Sequence, residues 1–440
     1  MVVPLPSFKS TDWYTWAQQT HDYTVGTNAP TRVTVDGSYV STYAVTSGGG
    51  GGGTTTAKGA LGTFYVVASD ASTADKARAD YQCDGTGDQA EIQNAINALK
   101  AAKGGRVLLS PGTFAISAGV TISGTDNPDT SATIIVQGMG ENNTTLNCAG
   151  NVTAFTMSLT ARVQIMDMTF NITGTGRAIA ATAVGSTLHR SLDESVLRNL
   201  HINGGYSAHT GWAMHLGSPF RSLIENLHIE GCKNGIRIFS EDPAQNPGDC
   251  TFQRMMVGLY NPAGQTAGTA YSIESPTGAG QMNQIEFIMC EAFMDSANAA
   301  SGGTGIYLGG GNGVLHCKFH GTNLEQFDTL WWVDYGISNH FDANFITGLD
   351  GKTGNVAVKF GPNSTNNWVK NIGSFYAPLA ATLISSTATS TANPNLVEHV
   401  RITTDTGTNV TNTISTAGAV IRKWIVADGT GAAGVLVTPA

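Results

Sequence analysis

The chain has 440 residues, only 12% of them charged, and a formal net charge of -9. A charged share of about half the usual globular value, with 54 glycines and abundant Thr, Ser and Asn, predicts an all-β chain rich in turns. The acidic balance argues against nucleic acid or an anionic membrane as partner, because both need clustered Lys and Arg; a neutral glycan remains compatible.

Residues 1–53 stand apart from the rest of the chain. They hold an aromatic segment, Trp13-Tyr14-Thr15-Trp16, then polar strand-like sequence, then Ser47 and the run Gly48 to Gly53. Consecutive glycines make a flexible joint, so the segment reads as a small N-terminal attachment module. The first thirty residues lack the basic start and apolar run of a secretory signal, and no stretch of about 18 apolar residues occurs. The expectation is a protein not exported by the standard route and not inserted in a membrane.

Phe64-Tyr65-Val66-Val67 then predicts a strand, and Asp88 with Glu91 predicts an N-cap and capping box for a helix over about 88–103. Ile92, Ile96 and Leu99 share one face of that helix, and Gly104-Gly105 ends it. The strand Val107-Leu108-Leu109, the turn Pro111-Gly112 and the strand Thr113 to Ile116 come next.

From here a six-residue pattern recurs: apolar, two others, apolar, one other, apolar. It reads Ile165-Met168-Phe170, Leu197-Leu200-Ile202, Ile224-Leu227-Ile229, Phe252-Met255-Val257, Ile285-Ile288-Cys290, Val314-Cys317-Phe319 and Val397-Val400-Ile402, with weaker copies at Phe341 and Val369. Starts 27 to 33 residues apart predict one solenoid turn per repeat. A second strand succeeds each first one, as in Met214-Leu216, Ile236-Ile238, Tyr271-Ile273, Ile306-Leu308, Trp331-Val333 and Val356-Val358. The coil is expected over 54–402, with 403–440 as a C-terminal cap or oligomerisation segment.

The run from Cys83 to Phe114, CDGTGDQAEIQNAINALKAAKGGRVLLSPGTF, resembles the entry segment of the pectate-lyase-like β-helix superfamily. The resemblance implies a single-stranded right-handed parallel β-helix with an N-terminal capping helix. It implies little about chemistry, since that superfamily includes lyases, hydrolases, epimerases and non-enzymatic viral spikes. Together with the aromatic segment and glycine joint, the chain looks like a bacteriophage tail spike or minor tail protein. That likeness implies synthesis in the host cytoplasm and a place in the virion tail. It also implies attachment to other tail proteins through the N-terminal segment, and a parallel homotrimer with Met256, Met289 and Phe345 at its interface. Trp332-Val333-Asp334-Tyr335 is similar only loosely to the Trp-x-Asp-His stretch of pectate lyases, with Tyr335 in the histidine's place, so pectin cleavage is not expected.

With the pattern residues inward, the next position forms an outward ladder: Met166, Arg198, Glu225, Gln253, Glu286, Leu315, Asp342, Lys370, Glu398. Glu225 and Glu286, two turns apart, are candidate catalytic carboxylates for a glycosidase, or else parts of a solvated surface ladder. The fourth-position ladder stacks His201, His228, Met256, Met289, Lys318 and Phe345. The two histidines find no third ligand at suitable spacing, so neither metal nor cofactor is expected. Residues 323–335 join Glu325, Asp328 and Asp334 to four aromatics, which suits sugar recognition: Asp328 and Asp334 as acids, Tyr307, Glu325, Trp332 and Tyr335 as binding residues, Lys359 beside them. A third candidate is the loop Ser240-Glu241-Asp242-Pro243 with Asp249 and with Arg237, expected as a further carbohydrate-binding residue. The six cysteines are expected as buried free thiols, with Cys232 and Cys250 as the pair to check for a bridge. Three roles remain open: a glycan-binding adhesin of the virion, a polysaccharide depolymerase, and a structural fibre.

Overall fold

The computed structural model describes residues 33–35 and 38–40, and 62–427 except 125–132, 159–160, 184–190, 207, 242–245, 261–267, 295–302, 343–344, 348–355, 373–381, 391, 404–412, 415–417 and 422–423. The chain divides into two units, Met1–Thr56 and Ala57–Ala440, just past the glycine run. In the first unit Val33–Val35 pairs antiparallel with Ser38–Val40. Trp13 to Trp16 and the glycines lie outside the described residues.

The second unit is a parallel β-helix. Ile165 pairs with Leu197, Leu197 with Ile224 and Ile224 with Phe252, so successive turns stack in register. One side is an 11-stranded sheet running from Val120–Ser123 to Thr413–Ile414. Parallel strands need crossovers, which take the right-handed sense. The described inward side chains, such as Ile165, Leu200 and Ile224, are buried, and Phe252, Phe287, Phe319 and Phe341 stack ring on ring at 4.9, 4.9 and 4.8 Å. That is the strand spacing itself, so each ring covers the one before it.

The six-residue pattern has a backbone cause. Asp167, Asn199, Asn226, Arg254, Met289, Gly321 and Asn371 all sit at positive φ between the first and second apolar positions. A single left-handed residue turns the strand there, which explains why the first two apolar residues are three apart rather than two. Asn and Asp tolerate that conformation best, and their side chains form a ladder: Asn226 Nδ2 donates to Asn199 at 2.8 Å, and Asn199 Nδ2 to Asp167 at 2.7 Å. A second left-handed column, including Arg162, Glu194, Arg221, Asp249, Gln284, His316, Ser338 and Asn366, makes the corner three residues before each repeat.

These corners correct two repeats. Phe252 pairs with Phe287 and Phe287 with Phe319, so the repeats begin at Phe287 and Phe319, not at Ile285 and Val314. The outward ladder consequently runs Glu225, Gln253, Ile288, His320, Asp342, Lys370, Glu398, and Glu286 and Leu315 leave it. The fourth-position column becomes His201, His228, Met256, Glu291, Asn323, Phe345. Met289, 63% exposed, and Lys318 do not belong to it. The side chain of Phe345 lies outside the described residues.

The entry helix spans Gln89–Ala101 and buries Ile92, Ala95, Ile96 and Leu99. Asp88 occupies the N-cap position, but its side chain makes no cap bond to the helix. Its carboxylate instead accepts the amides of Gly85 at 2.9 Å and Ala115 at 2.8 Å, tying the loop to the opening strands. Gly105, at φ +140°, leaves room for the Gly62 carbonyl and the Leu99 side chain where a Cβ would stand, so the helix packs down on the first strand. At the other end, Trp424–Ala427 pairs parallel with residues 400–403, and the coil therefore continues past residue 402.

Candidate functional site

Among the described residues, three outward surfaces are candidates for a glycan site, and their geometry separates them. On the first, Glu225 is buried and fully occupied: it is held by Arg198, by Arg254 at 2.9 Å and by Gln253 at 2.5 Å. Burial pushes its pKa up, but Gln253, Arg198 and Arg254 outweigh that and hold the carboxyl below its usual range. A proton donor needs the opposite shift. Glu286 lies two turns away and two residues along the strand, about 12 Å by strand geometry, so the two carboxylates are not brought together.

On the outer face of the 11-stranded sheet, His215, Arg237, Ser272, Tyr307, Trp332 and Lys359 form one column. Three sequence-predicted binding residues thus meet, with Asp334 at their edge. The column is closely packed. Tyr307 meets Trp332 edge-on at 5.1 Å, and Lys359 Nζ lies 4.0 Å from the centre of the Trp332 ring. Lys359 thus occupies one face of the indole and Tyr307 abuts it edge-on, and the half-buried ring is less open to a sugar than Trp368. Arg237 forks onto Glu274 at 2.9 and 2.6 Å. Burial raises the Glu274 pKa, but Arg237 and Ser272 bring it below the usual carboxylate range. Tyr307 is pushed up to about 12 by burial and then by Asp334. Asp328 lies in the turn before this strand and Glu325 on a different face, paired with Phe293, so neither joins Trp332. Tyr335 packs at the corner over Gly313. Asp242 and Pro243 lie outside the described residues.

The third surface is open. Thr251, Glu286, Lys318, His340 and Trp368 are register partners on successive turns. Beside them the left-handed corner residues Asp249, Gln284, His316, Ser338 and Asn366 form a bank, and between bank and column runs a groove. Its two parts, about 340 and 390 Å³, share His316 and Lys318. Trp368 is 37% exposed, stacks on His340 at 4.6 Å, and donates its indole N–H to Glu398 at 3.1 Å. Glu286 faces His320 at 3.5 Å. The column crosses four strand spacings, about 19 Å, and so presents an aromatic, an imidazole, one cation and one carboxylate, with Asp249 on the bank beside them, along the length of a short oligosaccharide.

No family model matches this sequence, and no curated protein matches it. Solved structures do. The A-module of the Azotobacter vinelandii mannuronan C-5 epimerase AlgE6 is 14% identical over 81% of this chain and 97% of that one, with TM-score 0.38. Pectate lyase Pel9A is 13% identical over 86% and 82%, with TM-score 0.41. An Acinetobacter phage tailspike protein is 11% identical over 79% of this chain, with TM-score 0.43, and the chain spans 58% of the tailspike's length. These are parallel β-helix proteins. The likeness extends to fold at most, and the parallel β-helix of this chain rests on its own strand register.

Within this β-helix, several polar residues went unread in the sequence. His215 was one, although it sits midway in the Met214-Leu216 strand. Burial, then Arg177 and Arg237, pushes it down to about 4, against an ordinary value of about 6.5. Between those values the unfolded chain binds the proton and the folded one does not. Stability is therefore full above about pH 6.5 and falls as pH drops towards 4. His209, His228 and His340 are lowered too and act in the same direction. An unfolding midpoint followed from about pH 7 to about pH 4 should fall less steeply in His215→Gln than in the parent; equal slopes would contradict this assignment. Glu230, beside His201, was also missed. It stands two residues after His228 on the same face and supplies the third donor that spacing alone did not offer. All six cysteines are free and buried, and burial raises the Cys232 and Cys250 thiols. Among the described residues, no helix is long and apolar enough to cross a membrane.

Proposed function

We propose that this chain is a receptor-recognition element of a phage tail that lays a host-surface polysaccharide along the groove from Thr251 to Trp368. The observation that carries the reading is the groove itself: a concave strip in which exposed Trp368, His340 and Lys318 share a column with Glu286. Sugar C–H faces pack on an indole, while the flanking carboxylates and cations pair with hydroxyl or acidic groups. Placement in a virion tail rests on the resemblance of the entry segment and on a separate N-terminal unit. Attachment through that unit and assembly as a homotrimer belong to the same reading.

The test is binding of the full chain to capsular and wall polysaccharides of candidate hosts. Trp368→Ala should weaken binding at least tenfold, about 1.4 kcal/mol, while Trp332→Ala leaves it within twofold. Loss in Trp332→Ala with Trp368→Ala unaffected would move the site to the 11-stranded face, and binding of no glycan would favour a structural fibre. A second reading has one observation in its favour, since Asp249 and Glu286 line the same part of the groove. They are one turn and two residues apart, about 8 Å, within the range of an inverting glycosidase pair. Release of reducing ends by the parent, abolished in Glu286→Gln, would establish it.

A further inference from the structure

We infer that His201, His228 and Glu230 form a binding site for a divalent transition-metal ion of the zinc class. The three lie on the face beyond the left-handed corner, away from the groove. Parallel in-register pairing sets His201 against His228, and strand alternation returns Glu230 to the same face two residues later. The imidazoles stack at 4.7 Å with 12° between their planes. His201 Nε2 stands 3.0 Å from one Glu230 oxygen, and His228 Nε2 stands 3.8 Å from the other. The donor atoms all fall within 4.8 Å of one another.

A zinc ion bonded at about 2.0–2.2 Å in a tetrahedral set needs its donors about 3.4 Å apart, so the widest pair must close by up to about 1.4 Å and the near-parallel imidazoles must tilt toward each other, which the soft imidazole χ2 torsion allows. Two imidazoles and one carboxylate suit zinc, nickel or cobalt, whereas calcium and magnesium prefer all-oxygen sets. Three protein ligands leave a coordination position open. Glu230 and Tyr206 border a cavity of about 290 Å³ that also reaches Phe293 and Glu325, with room for water or an oxygen ligand. The Tyr206 hydroxyl donates to Glu230 at 3.4 Å and helps orient the carboxylate. The other such cluster among the described residues, Cys83, Asp88 and Glu91, is different. Its aspartate is spent on backbone amides, and burial raises the pKa of its thiol.

The test is calorimetric titration of the chelator-stripped full chain with Zn²⁺, and with Ca²⁺ in parallel. One Zn²⁺ per chain should bind, with Ca²⁺ binding at least a hundredfold weaker. His201→Ala should abolish the site. Glu230→Gln, which keeps the side chain's shape, should weaken it at least tenfold, and His316→Ala with His340→Ala should leave it intact. Circular dichroism reports whether each variant is folded; if His201→Ala is not, Glu230→Gln decides. No Zn²⁺ binding by the parent, or affinity unchanged in Glu230→Gln, would overturn the assignment.

Discussion

Phe287→Ala is expected to destabilise the coil by about 3–5 kcal/mol and to split its melting into two steps. Phe287 is fully buried. It lies between Phe252 and Phe319 at 4.9 Å on each side, and the Tyr271 ring meets it edge-on at 5.3 Å. Truncation removes both stacking contacts, and a solenoid has no distant packing to make up the loss, because each turn touches only its neighbours. The coupling between the turns on either side of Phe287 therefore weakens more than either segment does. Calorimetry should show one transition in the parent and two in the variant. Phe287→Leu, which keeps much of the volume, should cost less than half as much. A single transition at the parent's temperature for Phe287→Ala would mean that the stack contributes little.

The coil was legible in the sequence because its core demands apolar residues at fixed places in each turn. Its register was not, and Ile285 shows why. Both Ile285 and Phe287 are buried on one strand, so an apolar pattern fits equally well when shifted by two residues. What fixes the frame is the left-handed corner. Asn199 and Asn226 advertise that corner, but Arg254 and Met289 occupy it in the next two turns with no compositional sign. The slip propagated to function: Lys318 fell into the histidine column and Glu286 into the Glu225 ladder. With the frame set by the corners, Glu286, Lys318, His340 and Trp368 fall into one column. The face of the 11-stranded sheet was closer to hand, since His215, Arg237, Ser272, Tyr307 and Trp332 are the middle residues of the second-strand triplets. Only the packing of Lys359 and Tyr307 against Trp332, which no spacing reports, shows that this indole is already partly occupied.

Asn367→Ala is expected to cost about 3–5 kcal/mol, although it removes only a small polar side chain. Asn339, Asn367 and Asn395 are buried at the corner of three successive turns. Through Oδ1, Asn367 accepts from the Asn339 backbone amide at 3.1 Å and from the Asn339 side-chain amide at 2.9 Å. Its amide nitrogen donates to the Gly336 carbonyl and to Asn395 Oδ1, both at 2.8 Å. Truncation orphans the Asn339 backbone N–H and one N–H of its side-chain amide in a place water does not reach, at roughly 1–3 kcal/mol for each buried unsatisfied group, while Gly336 keeps the Thr365 amide at 2.9 Å. Asn395 Oδ1 keeps the Asn367 backbone amide at 3.1 Å, so the loss stays below the sum of four bonds. Asn367→Leu fills the space yet leaves the same groups unpaired, and it should therefore be no more stable than the alanine variant. That comparison separates lost hydrogen bonding from lost volume. Recovery of most of the stability by leucine in chemical denaturation would show that the ladder acts through packing and not through its bonds.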